Sequence, residues 1–156
     1  MKILLAVDGS PCSDRAVAEV TQRPWPADSE VHIISVVEPP APLAAEPYML
    51  AGGYFEEVER LKRKQAAETL EKAAARLREG EGSRALHVST DIPLGSPRRV
   101  IVEEADHWGA DLIVVGSHGY RTWERMLLGS VSQAVAAHAS CSVEIVRCRE
   151  EKNRES

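Results

Sequence analysis

The chain has 156 residues, of which 44% are hydrophobic, 28% are charged and one is Phe, a composition that fits one globular domain with an aliphatic core. Nineteen basic against 24 acidic residues give a formal charge of -5, and the two signs interleave along the helical segments, which argues against a basic nucleic-acid or anionic-membrane binder. No stretch reads as a signal peptide or as the roughly 18 apolar residues of a spanning helix, so the expectation is a cytoplasmic protein with no membrane and no nucleic-acid partner.

The first apolar run, KILLAVDGS, is unbroken, the pattern of a strand buried on both faces, and it predicts a central place in a sheet. Ser10 as cap and Pro11 as first helical residue open a helix to Gln22 with Ala16, Val17 and Val20 on one face, stopped by RPWP. A second strand is expected over Glu30 to Glu38, followed by a Pro- and Gly-bearing stretch without periodicity, of a length typical of lids or disordered loops. Val58, Leu61, Leu70, Ala74 and Leu77 predict a long helix from Tyr54 to Glu79, ended by Gly80 and Gly82. ALHVSTDI reads as the third strand. Ser96, Pro97 and Gly109 then bound a helix with Ile101, Ala105 and Trp108 on one face, and DLIVVG follows as the fourth strand. A helix from Ser130 carrying Val131, Ala134, Val135 and His138, and a strand over Ser142 to Arg147, complete the order βαβαβαβαβ.

That alternation predicts an α/β fold: a doubly wound, five-stranded parallel sheet in three layers, α/β/α, with right-handed crossovers. In an order such as 2-1-3-4-5, ligands sit at the carboxyl ends of the strands where the winding reverses, and a central first strand puts that crevice beside Asp8. Residues 1–148 read as one domain and 149–156 as a charged, disordered tail. Cys12, Cys141 and Cys148 cannot all pair within one chain and show no CxxC or Cys/His ligand spacing, so they read as small thiols, neither a disulfide framework nor a zinc site.

The loop that leaves the fourth strand, GSHGYRTWERMLLGS from Gly116 to Ser130, carries the chemistry. Gly116 and Gly119 let the backbone turn sharply and approach a ligand, and Gly129 frees the amides at the next helix start, so that a phosphate meets N–H groups and a helix dipole. The dipole contributes only about 0.3–1 kcal/mol, so several amides must converge, and the Ser130 and Ser132 hydroxyls add donors. Two readings without a ligand stand beside this one: SVSQ, residues 130–133, is a capping box, and Asp8 in DGSP suits an Asx-turn. There is no GxxxxGK[ST], GxGxxG or HExxH motif and no Lys between Gly116 and Ser130, which argues against efficient phosphoryl transfer. His118 and Glu124 as acid and base would need a geometry the sequence does not supply. Arg98 and Arg99 read as solvated first-turn residues. A phosphorelay receiver needs a cluster of acids where AVDGS has one, and a flavodoxin needs more aromatic rings than Trp108 and Trp123.

GSHGYRTWERMLLGS also fits Gly-x2-Gly-x9-Gly-Ser and resembles the nucleotide-binding signature of the universal stress proteins, as do ILLAVDGS, LGSPRRVIVEEA and DLIVVGSHG with LLGSVSQAVAAHASCSVEIVR, in the right order. The resemblance implies a flavodoxin-like or Rossmann-like domain of the ATP-binding subfamily, a stress-response signalling module with at most slow ATP hydrolysis and no assigned catalytic residue. It implies Asp8 by the adenosine, the backbone near Val37 against adenine, Gly116 under the ribose, and Gly119, Gly129, Ser130, Val131 and Ser132 on the phosphates, with Mg²⁺ as a possible companion. It also implies a homodimer through Val143 and Ile145 of the last strand, and a further protein partner. Trp123 and Thr122 in the insert, Ser140 where proline is usual, and Glu144 within the last strand depart from the family pattern, and Glu144 weakens the case for pairing of last strands. The competing reading is a non-catalytic dimerisation or interaction module with an empty crevice.

Overall fold

The two runs without a polar break take the middle of the sheet: β1 (Lys2–Ala6), with Ile3, Leu4 and Leu5 fully buried, and β4 (Leu112–Gly116), with Ile113 and Val114 fully buried. Strand side chains alternate between faces, so a strand covered on both sides must be apolar at successive positions. The computed structural model describes residues 1–40, 53–83, 86–119 and 128–148. Within them β2 (Glu30–Ile34) flanks β1, β3 (His87–Asp91) lies outside β2, and β5 (Ser142–Val146) lies outside β4. All pairs are parallel and the order is β3-β2-β1-β4-β5.

The fold is the expected five-stranded parallel α/β sheet, but the strand order differs from 2-1-3-4-5: β4, not β3, is the second neighbour of β1. The reason lies in polarity. His87, Ser89, Thr90 and Asp91 of β3 are exposed, which an interior strand could not tolerate, whereas β4 is apolar throughout. The second strand also ends at Ile34, short of Glu38; beyond it Val37 makes an isolated parallel bridge to Leu94.

Helices α1 (Pro11–Gln22) and α2 (Tyr54–Glu79) bury Ala16, Val17, Val20, Leu70, Ala74 and Leu77 against one face of the sheet. On the other face, α3 (Pro97–Trp108) and α4 (Ser130–His138) bury Ile101, Ala105 and Val135 against Leu4, Ile34 and Ile113. Ser10 caps α1 through its side chain, accepting from the Ser13 N–H, and Gly109 ends α3 in the left-handed conformation at φ 72°, both as the residue types predict. Leu61 departs from expectation: it is 48% exposed, because the buried stripe of α2 begins only at Ala66.

Cys12, the second residue of α1, is disulfide-bonded to Cys148, just past β5, with their Cα atoms 4.8 Å apart; Cys141 is the free cysteine. This corrects the reading of three thiols. The bonded residues are 136 apart in sequence, and they meet because α1 starts and β5 ends at the same, carboxyl, end of the sheet. The 39–53 stretch from residue 41 to 52, the tail from 149 on, and the insert residues Thr122, Trp123 and Glu124 lie outside the described residues.

Gly116, at the end of β4, sits directly against the first turn of α1. A Cβ there would lie 2.8 Å from the Cys12 carbonyl carbon and 2.8 Å from the Ser13 nitrogen, backbone atoms that cannot swing away. Gly116→Ala is therefore expected to cost about 2–3 kcal/mol, the scale of overpacking, read in urea unfolding as a lower midpoint at unchanged slope.

Candidate functional site

The crossover from β1 leads to β2 on one side, while β4 lies on the other, so the winding reverses between β1 and β4, and their carboxyl ends diverge. A cavity of about 680 Å³ opens there, within the range of small-molecule sites. Asp8, Gly116, Gly119, Gly129, Ser130, Val131 and Ser132 all line it. Val37 does not; its neighbours Val36 and Glu38 do. The Val37 N–H donates to the Pro93 carbonyl at 3.0 Å and its own carbonyl accepts from the Gly95 N–H at 3.0 Å, which stitches the exit of β2 to the start of α3.

Each wall is built by short-range polar contacts. The Asp8 carboxylate accepts the Ser10 N–H at Oδ1, 2.9 Å, so the Asx-turn foreseen in DGSP does form. The Asp8 N–H donates to Ser13 Oγ at 3.1 Å, and Ser10 Oγ donates to the His118 carbonyl at 3.3 Å. The first turn of α1 thereby holds both Asp8 and the start of the loop after β4. Ser117 continues the β4–β5 pairing, its N–H donating to the Val146 carbonyl at 2.8 Å, and its own carbonyl accepts from the Gly129 N–H at 2.8 Å. Ser132, 2% exposed, directs its hydroxyl to the Ser117 and Gly129 carbonyls at 3.0 and 2.9 Å. Its hydroxyl proton thus braces the loop.

The glycines serve a different physical purpose from the turning role expected of them. None of Gly116, Gly119 and Gly129 has a positive φ; what each needs is the absence of a Cβ. A Cβ on Gly119 would come 2.9 Å from Asp8 Oδ2, and one on Gly129 would come 3.0 Å from the Ser117 carbonyl oxygen. The three positions let the loop close onto α1, onto the Asp8 carboxylate and onto itself.

The capping box does not form. The N-cap of α4 is Gly129, whose carbonyl accepts from the Gln133 N–H at 3.0 Å, and Ser130 is the first helical residue, exposed at the cavity wall. No side chain caps this helix, so the N–H groups of Ser130, Val131 and Ser132, which have no intrahelical acceptor by helix geometry, stand at the cavity. Ser96, the N-cap of α3, likewise makes no side-chain cap bond, and Ser96, Pro97 and Arg98 form a further part of the wall. Arg98 faces the crevice and has no carboxylate partner among the described residues, where the sequence suggested only a solvated side chain. Nothing in the sequence apart from its place in the first turn after LGSP pointed to it.

The permanent charges on the described lining are Asp8 and Glu38 against Arg98. Among the described residues no group of three or more His, Cys, Asp or Glu side chains is arranged to hold a metal ion. What the arrangement offers is an array of amide donors at a helix start, one guanidinium, and apolar surface from Ile34, Val36 and Ile101, a combination that suits an anion joined to a flat or apolar body. No helix among the described residues is long and apolar enough to cross a membrane.

Comparison with known proteins agrees with this architecture. Residues 1–147 match the universal stress protein family. Universal stress protein A homolog 2 of Coxiella burnetii is 34% identical over 152 residues, covering 95% of each chain. The solved structure of hypothetical protein MJ0577 superposes with a TM-score of 0.79 at 25% identity and covers 96% of each chain. A universal stress protein solved in complex with cAMP has a TM-score of 0.62 at 27% identity, covering 96% of this chain and 98% of its own. By sequence along nearly its whole length, the chain belongs to the universal stress protein family.

Proposed function

We propose that the chain binds an adenine nucleotide in this crevice and acts as a nucleotide-dependent stress-response and signalling module of the ATP-binding kind, with at most slow hydrolysis. One observation carries the reading: seven residues from three separate segments line a single cavity of nucleotide size, with the uncapped first turn of α4 on its wall. The related protein solved with cAMP supports the choice of an adenine nucleotide.

In this reading the phosphates lie against the Gly119, Ser130, Val131 and Ser132 amides, the ribose lies over Gly116, and the adenosine lies between Asp8 and the end of β2 near Val37. Ser132 acts through its amide, since its hydroxyl is engaged in the loop. Arg98 supplies the counter-charge. One guanidinium against two carboxylates does not neutralise a triphosphate, so a magnesium ion would enter on the nucleotide's own phosphates. Slow hydrolysis is the expectation because no Lys stands between Gly116 and Ser130 to neutralise a transferring phosphate. The module pairs as a homodimer along β5, at the sheet edge, where Val143 and Ile145 are half-buried, and its nucleotide state is passed to a protein partner.

An interaction module with an empty crevice is favoured by one observation: each signature glycine already has a steric partner inside the chain, so its presence needs no ligand. Calorimetric titration separates the two. Wild-type protein is expected to bind ATP with magnesium, and Gly119→Val to lose at least about tenfold in affinity, roughly 1.4 kcal/mol, while staying folded, because the atom in its way is the end of a side chain. No binding at millimolar ATP would leave the interaction module.

Arg98→Ala is expected to weaken ATP binding roughly fivefold, about 1 kcal/mol for an exposed charge, and to leave adenosine binding unchanged. Equal losses for both ligands would remove Arg98 from the phosphate end. Sedimentation is expected to give the mass of two chains, and that of one chain for a folded Val143→Asp variant.

A further inference from the structure

We propose that Cys12 and Cys148 form a reversible thiol–disulfide modification site, that a small thiol of the glutathione class enters it at Cys148, and that the bond clamps the first turn of α1 under the crevice. The inference goes beyond nucleotide binding and does not depend on it.

Three observations carry it. The two Cα atoms are 4.8 Å apart, within the span of bonded cysteines, so the fold brings the pair into bonding range. The sulfurs are unequal in access, since Cys12 is 4% exposed while Cys148 lies exposed at the end of β5. And Cys12 stands among the atoms that shape the crevice: its carbonyl carbon is what a Gly116 Cβ would strike, and its sulfur accepts from the Ser117 hydroxyl at 3.7 Å. Its flanking serines, Ser10 and Ser13, hold the His118 carbonyl and the Asp8 N–H.

Access fixes the direction of the chemistry. The incoming thiolate attacks Cys148 Sγ, a new sulfur–sulfur bond forms there, the bond between the cysteines breaks, and Cys12 leaves as a thiolate that then takes up a proton. A second small thiol attacks its own kind in the mixed disulfide, giving Cys148–SH and the oxidised small disulfide. The protein disulfide gains two electrons and two protons, and the two small thiols lose them. Cys12 is the leaving sulfur because it is the buried one and the attack falls on the exposed Cys148. The reverse sequence, driven by the oxidised small disulfide, restores the bond. Cys141 stands apart: it packs against the opposite core cluster, and burial raises its thiol pKa, so it carries less thiolate at neutral pH and reacts more slowly. Where the surroundings are reducing, bonds of this kind are transient and sense oxidant.

The experiment equilibrates the full chain at a series of reduced-to-oxidised glutathione ratios, quenches with acid, alkylates all free thiols after unfolding, and counts them by intact mass. Wild type is expected to pass from three alkylated thiols to one as the ratio becomes oxidising, with an early mixed disulfide mapped to Cys148. Cys141→Ser should pass from two to none, and Cys148→Ser should keep both of its thiols at every ratio at which wild type has lost two. Hydrogen exchange on the same samples is expected to show the amides of Ser117, His118 and the first turn of α1 exchanging at least about tenfold more slowly in the bonded form. Three free thiols in oxidised glutathione alone, a bond that includes Cys141, or exchange that is equal in the two forms would each overturn the proposal.

Discussion

The crevice depends on one close approach, that of the end of β4 to the first turn of α1. Because β1 and β4 are neighbours and α1 leaves β1 after only a short turn, the helix must cross the end of β4, and it does so where Gly116 has no Cβ. That turn presents Ser10 and Ser13, which hold the carbonyl of His118 and the N–H of Asp8. Ser117 is tied to β5 on one side and to Gly129 on the other. The described part of the wall is thus held by contacts within the chain.

Much of this was legible in the sequence, for identifiable reasons. Uninterrupted apolar runs marked β1 and β4 as interior, and Ser10–Pro11 and Gly109 marked helix ends, because those residues act through local geometry. The order 2-1-3-4-5 stood as one example of such folds; the polar face of HVSTD argues for an edge place for β3, and β4 is the neighbour of β1. The intrachain steric role of the glycines was not legible, because a missing Cβ matters here against atoms distant in sequence, such as Cys12 for Gly116 and Asp8 for Gly119, and those contacts exist only once the chain is folded. The same holds for the Cys12–Cys148 bond and for Arg98, whose placement follows from how α3 packs beside the sheet. The Ser130 capping box failed because the helix begins one residue early, at a glycine N-cap, leaving the serine inside the first turn.

The described lining of the crevice is charged differently from phosphoryl-transfer sites. Those concentrate lysine, arginine and metal ligands around the migrating group. Here the described lining has one guanidinium, two carboxylates and a helix start whose amides are open. Such a surface can recognise an anion.

Glu144 looks out of place in an otherwise apolar border strand. Its carboxylate is gripped by both guanidinium nitrogens of Arg23 at 2.7 Å, and Arg23 itself lies over the Trp25 ring, 5.1 Å from its centroid. A charge on a border strand ordinarily guards the sheet against accretion of further strands. This guard is disarmed from within: a residue 121 positions earlier, just past the first helix, takes the charge up. The one charge that β5 carries is thus neutralised inside the chain, by the arginine that follows the first helix.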